Sequence, residues 1–184
     1  MTEFHAAAER LFGAQRMDEF DELYPATTQA QTDASARQLI GDMVITEQTW
    51  ELLTLHQHTQ DSPAYGYKFT YTSPYSPVAA HVSEVPFVFG NLLPQYFAPN
   101  APAPTAADRA VSGTLMSYWT NFARTSNPNG PGLPTWRQYQ GPGSAILELD
   151  GSPASHPETD TQRLTFLASC RTNGRFPEAW RSAQ

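Results

Sequence analysis

The chain has 184 residues, with 11 basic and 18 acidic side chains and a net charge of −7. Hydrophobic residues at 40% and aromatics at 12% supply enough apolar surface for a packed core and argue against wholesale disorder. The acidic balance, with Lys68 the one lysine, argues against a nucleic-acid or anionic-membrane partner; no apolar run reaches the ~20 residues of a membrane span; and Cys170 alone closes no intramolecular disulfide.

Of the 16 prolines, only Pro25 precedes Pro63, which divides the chain into a helical front and a loop-rich back. Phe4, Ala8, Leu11 and Phe12 share a helical face, and Gly13 is a stop signal. Asp18 to Tyr24 reads as a short helix ending before Pro25. Thr27 or Thr28 caps a longer one. In it Leu39, Ile40, Met43, Val44, Trp50 and Leu53 carry apolar spacing to about His58, with a break expected at Gly41-Asp42. Ala64 to Thr72 reads as a strand, because Tyr65, Tyr67, Phe69 and Tyr71 alternate with smaller or polar residues and share one face. Residues 94–104 form a proline-rich surface loop. A second long helix is expected from about Thr105 to Arg124, with Asp108 in its first turn and the stripe Val111, Leu115, Trp119 and Phe122. Asn127-Pro128-Asn129-Gly130 is a turn cluster, Ala145 to Leu149 a short strand, and Thr161 to Arg171 a last helix. Met1-Thr-Glu-Phe-His5 contains no basic segment followed by an apolar stretch, so no signal peptide is legible. The compartment stays unassigned, with the cytoplasm favoured.

His81 is the sharpest chemical candidate. It sits on a loop after a strand, and an imidazole titrating near ~6.5 takes and returns a proton at neutral pH. The alternative is a structural histidine bonded to backbone. Glu84 is close enough in sequence to touch it, and is expected to be partly buried and bonded to backbone or a basic side chain. Ser83 is a tempting nucleophile, but two residues along one chain do not give a supported in-line attack, and no oxyanion donors are identifiable. Asp42 and Asp61 are formal candidates to orient the imidazole; each is expected to be an ordinary solvated carboxylate. His56, His58, His81 and Glu84 together suggest zinc. A helix, however, points residues i and i+2 about 200° apart, so no metal site is expected. Among the tryptophans Trp50, Trp119, Trp136 and Trp180, Trp119 belongs to a core stripe rather than a stacking platform. His5 and His156 lack partners in sequence, and Cys170 reads as buried and inert.

His81-x-x-Glu84-x-x-Phe87-Val88-Phe89-Gly90 resembles the histidine segment of type-B carboxylesterases, the family that includes cholinesterases. Tyr118-Trp119-Thr120-Asn121-Phe122-Ala123-Arg124-Thr125-Ser126-Asn127-Pro128-Asn129, followed by Pro134-Thr135-Trp136, resembles the family's helix end, turn and tryptophan segment. Ser126 stands where a glycine is usual. Gly41-Asp42 and Tyr65 to Tyr71 follow in the family's order, so the resemblance runs from about Phe4 to Leu149. It implies an α/β class, as the C-terminal part of an α/β-hydrolase with helices and an incomplete sheet, residues 1–184 forming one partial domain. It also implies that His81 is the triad histidine and that no cofactor or metal is used.

The same resemblance implies two further triad members. The sequence contains no Gly-x-Ser-x-Gly elbow, no glycine-rich oxyanion loop and no Asp-Glu-Gly-like acid segment. The implied function is a carboxylic ester hydrolase segment, inactive alone, that meets ester substrate only when a complementing N-terminal part is supplied. Self-association through an uncovered aromatic strand face is also expected. The alternative is a non-catalytic, cholinesterase-like binding or adhesion module.

Overall fold

A computed structural model describes residues 2–93 and 98–171. Trp180 and residues 94–97 of the proline-rich stretch lie outside the described residues. The chain forms two compact units, the first from residues 1–55 and 159–184, the second from residues 56–158.

In the first unit, α1 (Thr2–Phe12) buries Ala8 and Phe12, the face expected from its spacing. Gly13 follows at φ 87° and donates its N–H to the Glu9 carbonyl at 2.8 Å. A side chain there would be strained, so glycine ends the helix cleanly. A 3-10 turn (Ala14–Arg16) leads into α2 (Met17–Leu23). Thr28 caps α3 (Gln29–Gly41), its Oγ accepting the Gln31 N–H at 3.2 Å. At the expected break the chain does not leave the helix. It widens into a π turn over Asp42–Thr46 and continues as α4 (Glu47–Thr59). Gly41 thus marks an irregularity inside a continuous helix rather than an end.

Ala8, Phe12, Met17, Phe20, Tyr24, Leu39 and Met43 pack with Phe166 and Leu167 of α7 (Thr161–Ser169). The rings of Phe12 and Phe20 lie 5.4 Å apart, and those of Phe12 and Phe166 5.3 Å apart. Ile40 and Val44, read as part of the apolar stripe, are instead 62% and 40% exposed. Inside the unit sits a carboxylate with no solvent access, Asp42. Its Oδ2 accepts the Tyr24 hydroxyl at 3.0 Å and Arg163 Nε at 2.9 Å, and its Oδ1 accepts Gln38 Nε2 at 2.8 Å. Arg163 also donates to Asp160 at 2.6 Å. Burial, and then the charge of Asp42, push the Tyr24 hydroxyl far above the usual phenol range, so it stays a donor.

The second unit is built on a three-stranded sheet in the order β1 (Tyr67–Phe69), β2 (Ala145–Leu149), β3 (Ala154–Pro157). β1 and β2 run parallel with Tyr67 opposite Leu147; β2 and β3 run antiparallel with Ile146 opposite His156. β2 has the expected bounds. β1 is shorter than expected because the N–H groups of Thr70 and Tyr71 both turn to one acceptor, the Leu149 carbonyl, at 3.1 and 3.0 Å, which ends the ladder. β3 has no alternating apolar pattern and was not legible.

α6 (Ala106–Thr125) covers this sheet with Val111, Leu115 and Tyr118 buried. Its stripe turns away from the expected line at the end, where Phe122 is 47% exposed. Ser126 caps the helix in the left-handed region at φ 59°, which explains why a glycine suits this position. The aromatic face of the strand region is not bare, contrary to the expectation. Tyr65 packs on Phe122 and Trp136, Tyr67 on Trp119 and Trp136, and Phe69 and Tyr71 on Phe87, with ring centroids 5.2–6.1 Å apart. Trp136 Nε1 donates to the Gly66 carbonyl at 2.9 Å and pins the cover to the strand.

Asp108 joins this cover to the loop after β1. Fully buried, it forms a capping box with Thr105, and it accepts the Tyr71 hydroxyl at 3.0 Å and the Ser73 hydroxyl at 2.5 Å. Burial pushes its carboxyl up, but hydrogen bonds from Ser73, Thr105 and Tyr71 outweigh this and hold it below the usual range. A depressed carboxylate stabilises the fold above its unfolded pKa, near ~3.9, and the benefit is lost as pH falls through the lower folded value. Asp108→Asn is therefore expected to lower the melting temperature at pH 7. Thermal melts by circular dichroism should show the gap to the parent closing as pH drops from about 4 downward. An unchanged gap at low pH would show that charge plays no part.

Candidate active site

The segment carrying His81 is fastened at both ends. Upstream, the Ser73 N–H donates to the Ser76 carbonyl at 2.9 Å, the Ser76 N–H donates to Ser73 Oγ at 3.1 Å, and the Tyr75 hydroxyl donates to the Leu93 carbonyl at 2.5 Å. Downstream, the short helix α5 (Val85–Val88) buries Phe87 completely, and Ser112 of α6 donates to the Phe87 carbonyl at 2.8 Å. Between these anchors the chain makes a turn that leaves His81 exposed, with Val82 at φ 66°.

The imidazole of His81 makes no hydrogen bond among the described residues, and no carboxylate orients it there. Glu84 is partly buried as expected, but its partner is a phenol rather than backbone or a base: the Tyr67 hydroxyl donates to Glu84 Oε1 at 3.2 Å. Burial, followed by the charge of Glu84, pushes the Tyr67 hydroxyl up to about 12, so the phenol remains protonated and ties β1 to the turn. Ser83 is 3% exposed. Its Oγ accepts the Ala80 N–H at 3.0 Å and donates to the Val78 carbonyl at 3.2 Å, which leaves the hydroxyl engaged within the turn.

The remaining candidates separate. Asp42 is not a solvated carboxylate; it is buried and committed to Tyr24, Gln38 and Arg163 in the first unit. Asp61 is exposed. His56 and His58 lie on α4, and His56 Nε2 is 3.0 Å from the Ser62 carbonyl. Among the described residues no three His, Cys, Asp or Glu side chains are placed to hold a metal ion. Trp119 is half-buried against Tyr67 and Trp136. His156 is exposed on β3, whereas His5 has a partner that sequence did not reveal, Asp21 Oδ2 at 3.1 Å. Cys170 is half-buried, and burial pushes its thiol up. Among the described residues no helix is long and apolar enough to cross a membrane.

Sequence reading missed Tyr67, Ser73 and the full role of Asp108. The alternation placed Tyr67 and Tyr71 on one face, but their hydroxyl partners lie 17 and 37 residues away.

A partial mixed sheet whose first two strands run parallel, a helix covering it and a histidine-bearing turn after β1 define a segment of an α/β-hydrolase. Solved structures agree. A thermophilic PNB esterase superposes with a TM-score of 0.66 at 25% identity, over 91% of this chain and 33% of that one. A carboxylesterase of Geobacillus stearothermophilus matches in fold with a TM-score of 0.64 at 22% identity, over 87% of this chain and 33% of that one. The model of the carboxylesterase family matches residues 5–167, and the chain belongs to that family. Among its relatives, the pyrethroid hydrolase Ces2a of Mus musculus is 32% identical over 155 residues, 77% of this chain and 25% of the relative. The medium-chain fatty acyl-CoA hydrolase precursor of Anas platyrhynchos is 34% identical over 118 residues, 60% of this chain and 20% of the relative. The chain thus spans a quarter or less of the length of these two relatives.

Proposed function

We propose that this chain is the histidine-bearing part of a carboxylic ester hydrolase, with residues 1–184 as one partial domain of that fold. His81 is its general base. The imidazole takes the proton of a nucleophilic serine as the serine attacks the ester carbonyl. It then returns a proton to the leaving alcohol, and repeats the exchange with water to release the acid. The serine and the orienting carboxylate belong to an elbow-bearing segment that is not among these 184 residues. That segment is the partner the chain requires, and a carboxylic ester is the substrate of the assembled site.

The observation that carries this reading is the exposed His81 on a turn anchored at both ends, inside the stretch matched by the carboxylesterase family. An imidazole that must receive a proton from another segment has to be reachable, and its own hydrogen-bonding capacity has to be open. Both conditions hold among the described residues.

The test is reconstitution. The chain alone should hydrolyse p-nitrophenyl esters no faster than buffer and take no label from an organophosphonate serine probe. Mixed with an esterase fragment carrying the Gly-x-Ser-x-Gly elbow and the acid, it should form a complex that hydrolyses the ester. Labelling of Ser83 in the chain alone would sink the assignment of roles. A complex without hydrolysis would favour the non-catalytic binding module.

A further inference from the structure

Among the described residues only Val82 and Ser126 combine a side chain with positive φ. Ser126 is an ordinary helix cap. Val82 is not: at φ 66° a β-branched residue is strained, and at 44% exposure its side chain gains little from burial. Something else must hold the turn. The neighbouring hydroxyl does so. Ser83 Oγ accepts the Ala80 N–H at 3.0 Å and donates to the Val78 carbonyl at 3.2 Å. The Ser83 N–H also reaches the Ala80 carbonyl at 3.1 Å, and the Val85 N–H reaches the Val82 carbonyl at 3.2 Å. His81 lies inside this clasp, and its ring has no hydrogen bond of its own among the described residues. The backbone on either side therefore sets where its Cα–Cβ bond points.

We propose that Ser83 is the positioning residue for His81: its buried hydroxyl clasps residues 78–83 in a strained turn that aims the imidazole. The inference rests on the reading of His81 as general base. It assigns Ser83 a role opposite to that of a nucleophile, since the clasp uses the hydroxyl as both donor and acceptor. A strained conformation retained beside a reactive group is what pre-organisation looks like in a backbone. Misplacing a catalytic group by about 1 Å can lower turnover by ~10²-fold.

The test has one arm on the chain itself and one on the reconstituted enzyme. In Ser83→Ala, amide hydrogen exchange at Ala80 should accelerate at least ~tenfold. The three-bond HN–Hα couplings that report φ at His81 and Val82 should move from fixed toward averaged values. In the reconstituted enzyme the same variant should lower kcat by ~10- to 100-fold with KM within about twofold. Adding Val82→Gly to Ser83→Ala should recover part of that kcat, because glycine adopts positive φ without the clasp. A purely structural role predicts only a recovery that follows the folded fraction. Unchanged Ala80 exchange and unchanged couplings would overturn the proposal. So would a kcat loss that Val82→Gly fails to relieve and that follows the folded fraction measured by circular dichroism. If His81→Ala leaves hydrolysis intact while Ser83→Ala still frees the turn, the catalytic reading falls and the clasp stands.

Discussion

His81→Ala in the reconstituted enzyme is expected to lower kcat by about 10²- to 10⁴-fold, the range that general acid–base groups contribute. The ring lies on the surface of its own unit, so the substitution should leave the chain folded and its melting temperature nearly unchanged. KM should change little, because the imidazole acts on a proton in flight rather than on the bound ester. The exposed site offers a direct control. Truncation to alanine removes a side chain that nothing in its unit covers, so added imidazole should restore part of the rate in proportion to its concentration. Steady-state kinetics on p-nitrophenyl acetate would show this. A variant that turns over at the parent rate would remove His81 from the mechanism, whatever its place in the sequence motif.

Asp42→Ala is expected to destabilise the first unit by about 3–5 kcal/mol, the range seen when one partner of a buried ion pair is removed. The side chain has no solvent access and satisfies three donors at once, from Tyr24, Gln38 and Arg163. Removing it leaves the Arg163 guanidinium, whose side chain is 20% exposed, beside Asp160 alone, and leaves a buried phenol without its acceptor. Asp42→Asn should cost less, since the carboxamide oxygen still accepts one bond. Pairing Asp42→Ala with Arg163→Met should cost less than the sum of the two, because the second change removes the charge that the first strands. Urea unfolding followed by circular dichroism gives these differences. Additive losses would show that the pair is not coupled.

Much of the helical framework was legible because its signals are local. Gly13, Thr28 and the helix start near Thr105, with Asp108 in its first turn, act within three or four residues of themselves, so sequence spacing is enough to find them. Apolar spacing placed α1, and Pro25 marked the end of α2, for the same reason. What escaped was set at long range. Ile40 and Val44 keep helical spacing with Leu39 and Met43, yet the π turn at Asp42–Thr46 alters the phase and spacing cannot say which side packs. β3 pairs through backbone groups, with Pro153 before it, Pro157 as its last residue and little apolar patterning to mark it. At the candidate site, His81 was found through its motif, whereas its supports were not. Tyr67 reaches Glu84 across 17 residues, and Asp108 gathers hydroxyls from residues more than 30 positions upstream. Asp42 looked like a surface carboxylate because a lone aspartate in a helix gives no sign that an arginine 121 residues later will close on it.

That distance between Asp42 and Arg163 also orders events during synthesis. The second unit lies wholly between the two stretches that make up the first. α1, α2 and α3 leave the ribosome before the second unit, but Phe166 and Leu167, which complete their core, follow more than 121 residues after Asp42. At about 5–20 residues per second this is a delay on the order of 6–25 s, far longer than a helix needs to form. Throughout that interval Phe12 and Phe20 lack the ring of Phe166, and the carboxylate of Asp42 has no arginine. The second unit, by contrast, is contiguous and can close as soon as β3 emerges. Within this stretch the second unit is completed first while α1, α2 and α3 stand open, so these three helices are the natural segment for a chaperone to shield.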